Sequence, residues 1–184
     1  SQPAQSPVQS SESTIPAQSS SASKKTVSFN PVKKEKWNWN YSGVAAEQMI
    51  LGKHGYVYSQ SELGKKLNVD ATVVTDYQVL ASLMTGYLKP SLGYVFEPHY
   101  LELSQTEKSI TSAMFAQINK NIYDNILFII VVADGNENSY VVVYSRDGDS
   151  YDIYLPSLTG AYIHLTSDEL INVMKATGFF CYIA

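Results

Sequence analysis

A hydrolase that works through a side-chain nucleophile needs a hydroxyl or thiol, a base to take its proton, and a third group to orient the base. This chain of 184 residues holds three histidines and one cysteine, so few such sets can be drawn. The most telling stretch is Asn40-Tyr41-Ser42-Gly43-Val44-Ala45-Ala46-Glu47-Gln48-Met49, where an apolar helical pattern begins. Ser42 falls where that helix opens and is one hydroxyl for which such a set can be sought. A base for it must come within hydrogen-bond reach. His54 follows the same helix at its C-terminal end, where capping by a cation is the expected role. His99 sits in Glu97-Pro98-His99-Tyr100, read as a loop between helices that could approach a groove, and His164 lies in a late strand. Cys181, in Phe179-Phe180-Cys181-Tyr182-Ile183, reads as a buried core thiol and has no partner for an intramolecular disulfide.

Metal chemistry finds less support. Asp147, Asp149 and Asp152 lack the spacing and the terminal glutamate of a calcium loop, and Asp-Gly between tyrosine-flanked runs marks a hairpin turn. Scattered histidines and a lone cysteine make no transition-metal motif. No metal and no cofactor are expected.

The elements that must position Ser42 follow from periodicity. Val44, Ala45, Gln48, Met49 and Leu51 fit a helix from about 43 to 53, closed by Gly55. Ser59-Gln60-Ser61-Glu62 is a capping box opening a short helix to about Leu67. Thr75-Asp76 starts a third helix, with Tyr77, Leu80, Leu83 and Met84 on one face. A fourth runs from Thr106 to about Ile122, with Ile110, Met114, Ile118 and Ile122 at helical spacing. The period then changes: strands are expected over 126–133, 140–145, 151–155 and 161–165, with a turn-rich loop over 134–138. Thr166-Ser167-Asp168-Glu169 caps a last helix to about Lys175, and 179–183 returns as a strand. Helices first and an antiparallel meander second predict an α+β fold.

Residues 1–36 stand apart. The first 23 are dominated by Ser, Gln, Pro and Ala, and such a segment cannot bury enough apolar surface to offset its ordering entropy. Five lysines and two glutamates over 1–36 give a net +3, whereas 37–184 carries a net −7. The expectation is a flexible tether over 1–36, able to space an anchor, and one folded domain over 37–184. An acidic folded part repels phosphate, so the lysines beside Trp37 and Trp39 do not predict nucleic-acid binding. The longest apolar run, Ile126 to Ala133, is far short of the roughly 20 residues a membrane helix requires. No signal peptide is visible. A near-absence of cysteine suits the cytosol and the Gram-positive cell surface alike.

The Asn40–Met49 stretch resembles the nucleophile segment of bacteriocin-processing-type peptidases, a bacterial branch of the papain-like cysteine peptidases, whose pattern is roughly Asn-Tyr-Cys-Gly-Pro-Ala-Ala. Asn138-Ser139-Tyr140-Val141-Val142-Val143-Tyr144 is similar to the strand that opens on Gly-His in that family, and Tyr151-Asp152-Ile153-Tyr154-Leu155-Pro156 to the strand that ends in Asp-Pro. The resemblance covers about 37 to 184 and implies a papain-like fold, helices followed by an antiparallel sheet. It also implies a dead site. Ser42 stands where the family has cysteine, Ser139 where it has histidine, and Leu155 where it has aspartate or asparagine. The oxyanion glutamine is missing from Lys36-Trp37-Asn38-Trp39-Asn40, where Asn38 or Asn40 alone could donate.

A serine hydroxyl without a base is not nucleophilic at neutral pH. The resemblance therefore implies a non-catalytic, secreted or surface-attached domain that holds a peptide or partner protein in the former groove. Groove candidates are Trp37, Trp39, Asn40, Tyr41, Ser42, Ser139 and Tyr140, with Tyr87, Tyr94, Phe96 and Tyr100 as further aromatics; core filling explains the aromatics equally well. Two alternatives remain: a hydrolase using Ser42 with an unexpected base such as His99, or a Cys-to-Ser variant of an active peptidase. Loss of all three groups speaks for natural decay over deliberate substitution.

Overall fold

The computed structural model describes residues 23–36, 41–70, 72–73, 75–100, 107–134, 137–175 and 179–183. In chain order the elements are β1 (Lys25–Thr26), α1 (Tyr41–Lys53), α2 (Gln60–Lys66), α3 (Tyr77–Leu92), β2 (Phe96–Tyr100), α4 (Glu107–Tyr123), β3 (Phe128–Asp134), β4 (Glu137–Asp147), β5 (Ser150–Leu155), β6 (Ala161–Thr166), α5 (Ser167–Lys175) and β7 (Phe179–Ile183). The fold is α+β.

All seven strands join one antiparallel sheet, ordered β2-β7-β3-β4-β5-β6, with β1 added to β4. Phe128 to Val132 and Tyr140 to Val143 are buried without alternation. Continuous burial along two paired strands means that both faces are covered at the centre of the sheet. Helix α1 is covered in the same way: from Tyr41 to Leu51 only Gln48 is less than fully buried, so it is the central helix of the domain. It packs on β4, α2 and α3.

The local signals behave as their chemistry requires. Ser59 and Glu62 form the reciprocal capping box of α2. Asp76 caps α3 by accepting from the amides of Gln78 and Val79, and Gly93 closes it in the left-handed region. Thr166 and Glu169 cap α5 in the same reciprocal way. Asp147 pairs with Ser150 across a tight turn at Gly148-Asp149, with Gly148 at φ 59°. The acidic cluster is a hairpin, as its sequence suggests.

Three expectations need correction. The five-residue loop expected over 134–138 is cut short, because β3 and β4 stay paired out to Asp134 and Glu137. Residues 97–100, read as a loop, belong to β2 and pair with β7, where β-branching gives no cue and only the partner strand supplies the bonds. Finally, the fold begins well before Trp37. Thr26 pairs with Ser145, Val27 is 1% exposed and donates to the carbonyl of Tyr144, and Phe29 packs its ring against Tyr144 and Tyr154 at 5.2 and 5.8 Å. Val27, Phe29 and Val32 provide the apolar contacts of this strap, too sparse for a periodic signal. Of the tether expected over 1–36, residues 1–22 lie outside the described residues.

Candidate functional site

Three elements meet around Ser42. Helix α1 brings the residue in its first turn, β4 brings Ser139 and Tyr140, and the segment before α3 brings Thr75. The Ser42 Oγ accepts a hydrogen bond from the Tyr140 backbone N–H at 3.0 Å, across 98 residues of sequence. The Tyr140 hydroxyl in turn donates to the Thr75 carbonyl at 2.7 Å. Thr75 leans directly on Gly43: a Cβ built on that glycine would lie 2.6 to 2.7 Å from its side-chain atoms. Gly43 is therefore a close-approach residue; any larger residue there would push the α3 entry off the helix. Ser42 and Ser139 are both 2% exposed.

Local pairing explains the Ser42 bond. The β4–β5 pairing stops at Val142↔Tyr154, so the β4 backbone at Tyr140 lies beyond the end of the β5 ladder. The helix hydroxyl reaches the amide there. A buried amide left without an acceptor costs about 1–3 kcal/mol, so this oxygen carries a structural duty.

The structure thus brings together Ser42 and the Ser139-Tyr140 pair, as the sequence comparison expects. Leu155 ends β5, beside β4, and packs against the core. Two of the expected groove aromatics belong to the interior instead. Tyr41 is 4% exposed, with its ring packed at Gly64 and under the Lys36 ammonium, and Tyr140 is 7% exposed. Trp37, Trp39 and Asn40 lie outside the described residues, as does Asn38. Of the other aromatics, Tyr87 stands in α3 against Tyr56 and Tyr58, Tyr94 packs edge-on to His54, and Phe96 is buried.

The histidines are elsewhere. His54 follows the far end of α1, about 18 Å along the helix from Ser42. Its expected role as a cationic cap is not what its surroundings support: burial, then the neighbouring Lys53, lower its pKa, and its Nε2 is buried with no hydrogen-bond partner among the described residues. His164 lies on β6, opposite Asp152, and its Nδ1 meets the Asp152 carboxylate at 2.6 Å. Asp152 faces Ser145 on β4, on the order of 15 Å along the strand from Tyr140. Burial pushes Asp152 up, but hydrogen bonds from His164, Lys24 and Ser145 outweigh it and hold the carboxyl below the usual range. The backbone of His99 is in β2, three strand spacings, or roughly 14 Å, from β4.

Sequence reasoning missed two features. The first is Glu47, one turn beyond Gly43 and 0% exposed, with neither carboxylate oxygen hydrogen-bonded among the described residues. Desolvation raises its pKa to about 8, against a smaller lowering by Lys66. The available signal was an acid inside an otherwise apolar helical face. The second is Gln60, 1% exposed, whose amide clamps the N-terminal strap: it donates to the Lys33 carbonyl at 2.7 Å and accepts from the Glu35 amide at 2.9 Å. It also donates to Gln48 on α1. Only the tertiary position of the strap reveals that role.

Among the described residues no group of three or more His, Cys, Asp and Glu is placed to hold a metal ion, and no helix is long and apolar enough to cross a membrane.

No family model matches the chain, and no curated protein matches it. Solved structures do. One is a double glycine motif protease from an AMS/PCAT transporter, in complex with the leader peptide; it is 12% identical at a TM-score of 0.57, over 86% of this chain and 93% of that one. Another is the peptidase domain of Streptococcus ComA, a bi-functional ABC transporter involved in a quorum sensing pathway; it is 15% identical at a TM-score of 0.54, over 83% of this chain and 96% of that one. At these identities the likeness establishes the fold: the chain is built as those peptidase domains are, on a papain-like plan.

Proposed function

We propose that this chain uses the fold of a double-glycine peptidase domain to hold a peptide without cutting it. The observation that supports this most directly is the bond from the Tyr140 amide to Ser42 Oγ. The oxygen at the nucleophile position serves as an acceptor that ties helix to strand. The position one residue earlier on that strand, where the related strand carries an imidazole, holds the hydroxyl of Ser139, which has no useful basicity near neutral pH. Leu155 has no atom able to orient a base. The two imidazoles whose side chains are described, His54 and His164, belong to other parts of the molecule.

A peptide ligand is the reading that suits the architecture, since a protein of the same fold is seen with a leader peptide. Surface attachment or secretion, on the Gram-positive pattern, is the setting we assign, with the Ser/Gln/Pro-rich residues 1–22 as spacer.

The test uses the full chain and fluorescein-labelled leader-type peptides ending in Gly-Gly plus a short cargo. Fluorescence anisotropy should show saturable binding, and mass spectrometry should show every peptide intact after prolonged incubation. Cleavage that vanishes in Ser42→Ala would favour a serine hydrolase instead. Absence of binding across a varied peptide set would remove the peptide reading. Ser42→Cys alone should stay inactive, because a thiol without a base remains mostly protonated near its ordinary pKa of about 8.5.

A further inference from the structure

Strand β6 ends the sheet. It pairs with β5 on one side, and none of the described residues pairs with the other. The capping of α5 reveals which backbone groups point outward. The Thr166 N–H is taken by Glu169 Oε2 at 2.7 Å, while the next amide, Ser167, turns back to the Asp149 carbonyl beside β5 at 2.8 Å. Backbone groups alternate in direction along an antiparallel strand. Tyr162 and His164 share the parity of Thr166, so their N–H and C=O groups face out from the sheet.

The edge is unguarded. Ala161-Tyr162-Ile163-His164-Leu165-Thr166 contains no lysine, proline or acid, the devices by which sheet edges normally resist pairing. Tyr162 is 63% exposed and the His164 side chain equally so. Beside the middle of the strand the Asp152 carboxylate is already held by His164 and Lys24, and the remaining charge lies at the two ends. Lys33 packs its Cγ beside Gly160 at the start of the strand, 3.5 Å from where a Cβ would stand. Asp168 and Glu169 open α5 just past its end. An antiparallel copy of this strand sets each basic start against an acidic end, twice.

We propose that β6 pairs antiparallel with β6 of a second copy of this chain about a two-fold axis at Ile163, joining the two sheets. The outward groups fix the register. Tyr162 exchanges two hydrogen bonds with His164 of the second copy and His164 two with its Tyr162, four bonds in all, while Gly160 falls opposite Thr166. Moving the axis to His164 would demand the Thr166 amide, which the helix cap already uses. On the solvent face the phenol and imidazole rings stack across the seam. An unrelated extended peptide offers the same backbone bonds but not the paired end charges, so the second copy is the occupant this edge fits.

The full chain is examined by sedimentation equilibrium from about 10 μM to about 1 mM at low salt. A reversible dimer is expected. Amide exchange at Tyr162 and His164 should slow as protein concentration rises. Tyr162→Lys, which puts an ammonium opposite His164, should give a monomer with an unchanged circular dichroism spectrum. Lys33→Glu and Asp168→Lys should each weaken association about fivefold, and the double exchange should restore it. A monomer throughout the range overturns the proposal. So does a dimer indifferent to Tyr162→Lys, a double exchange that fails to restore, or edge amides already protected in the dilute monomer, which would mean that another segment covers the strand.

Discussion

Replacing Glu47 by glutamine should stabilise the protein at neutral and alkaline pH and do almost nothing in mild acid. The carboxyl is 0% exposed in the middle of α1, and desolvation raises its pKa from 4.5 to about 8 despite the attraction of Lys66. Below about pH 4.5 the folded and unfolded chains both carry the proton, so the native state bears no cost of burying a charge. Between pH 4.5 and 8 the unfolded chain releases the proton while the native chain keeps it. Stability therefore falls as pH rises, by about 1.4 kcal/mol per pH unit. At pH 7 the accumulated loss is about 3 kcal/mol, and it levels off above pH 8 at about 5 kcal/mol. Glutamine is never charged and is free of this slope. Urea unfolding of both proteins at pH 5, 7 and 8 is the assay, since the difference cancels other titrating groups such as Lys53 and His54. Curves that separate steadily from pH 5 to 8, with a melting temperature about 6–12 °C higher for Glu47→Gln at pH 7, are expected. Curves that stay parallel across this range would show that Glu47 is solvated or paired in the native protein, and the reasoning from burial would fail. Lys66→Met should carry the fall to higher pH and enlarge its plateau, because it removes the one lowering influence.

Ser42→Ala removes the acceptor of the Tyr140 amide and should cost about 1–3 kcal/mol in urea unfolding at pH 7. Gly43→Ala should cost at least about 1–3 kcal/mol, through the Thr75 side chain and not through helix propensity, so Gly43→Ala combined with Thr75→Ser should recover part of the loss. Gln60→Leu leaves the Lys33 carbonyl and the Glu35 amide without their clamp; limited proteolysis should then cut within residues 23–36 far faster than in the parent.

The helices and the central strands were legible in the sequence because their signals are local. Ser59 and Glu62 announce α2, Asp76 announces α3, and the valine run after Ser139 announces β4. What was illegible depends on partners distant in sequence. Strand β2, containing Pro98, exists because β7 is alongside it, and nothing in Phe96–Tyr100 states that. The strap is similar: Val27 and Phe29 are two apolar residues among polar ones, and only the bulge at Val143–Ser145 and the rings of Tyr144 and Tyr154 give them a place. At the site, the order of helix and strand in the sequence suggested that α1 and β4 meet, and they do so at Ser42 and the Tyr140 amide. Sequence reasoning misjudged Tyr41 and Tyr140, because a tyrosine lines a groove or fills a core with equal ease, and only the neighbours Gly64 and Thr75 decide. Glu47 was passed over as one more helical residue; its meaning lies in what surrounds it.

The central claim is that the oxygen at position 42 is a structural acceptor and no nucleophile. It is tested most directly by treating the native chain with a fluorophosphonate at neutral pH and weighing the intact protein. The account predicts no covalent adduct at Ser42, whatever the incubation time. A stoichiometric adduct on the peptide containing Ser42, lost on denaturation before treatment, would contradict it.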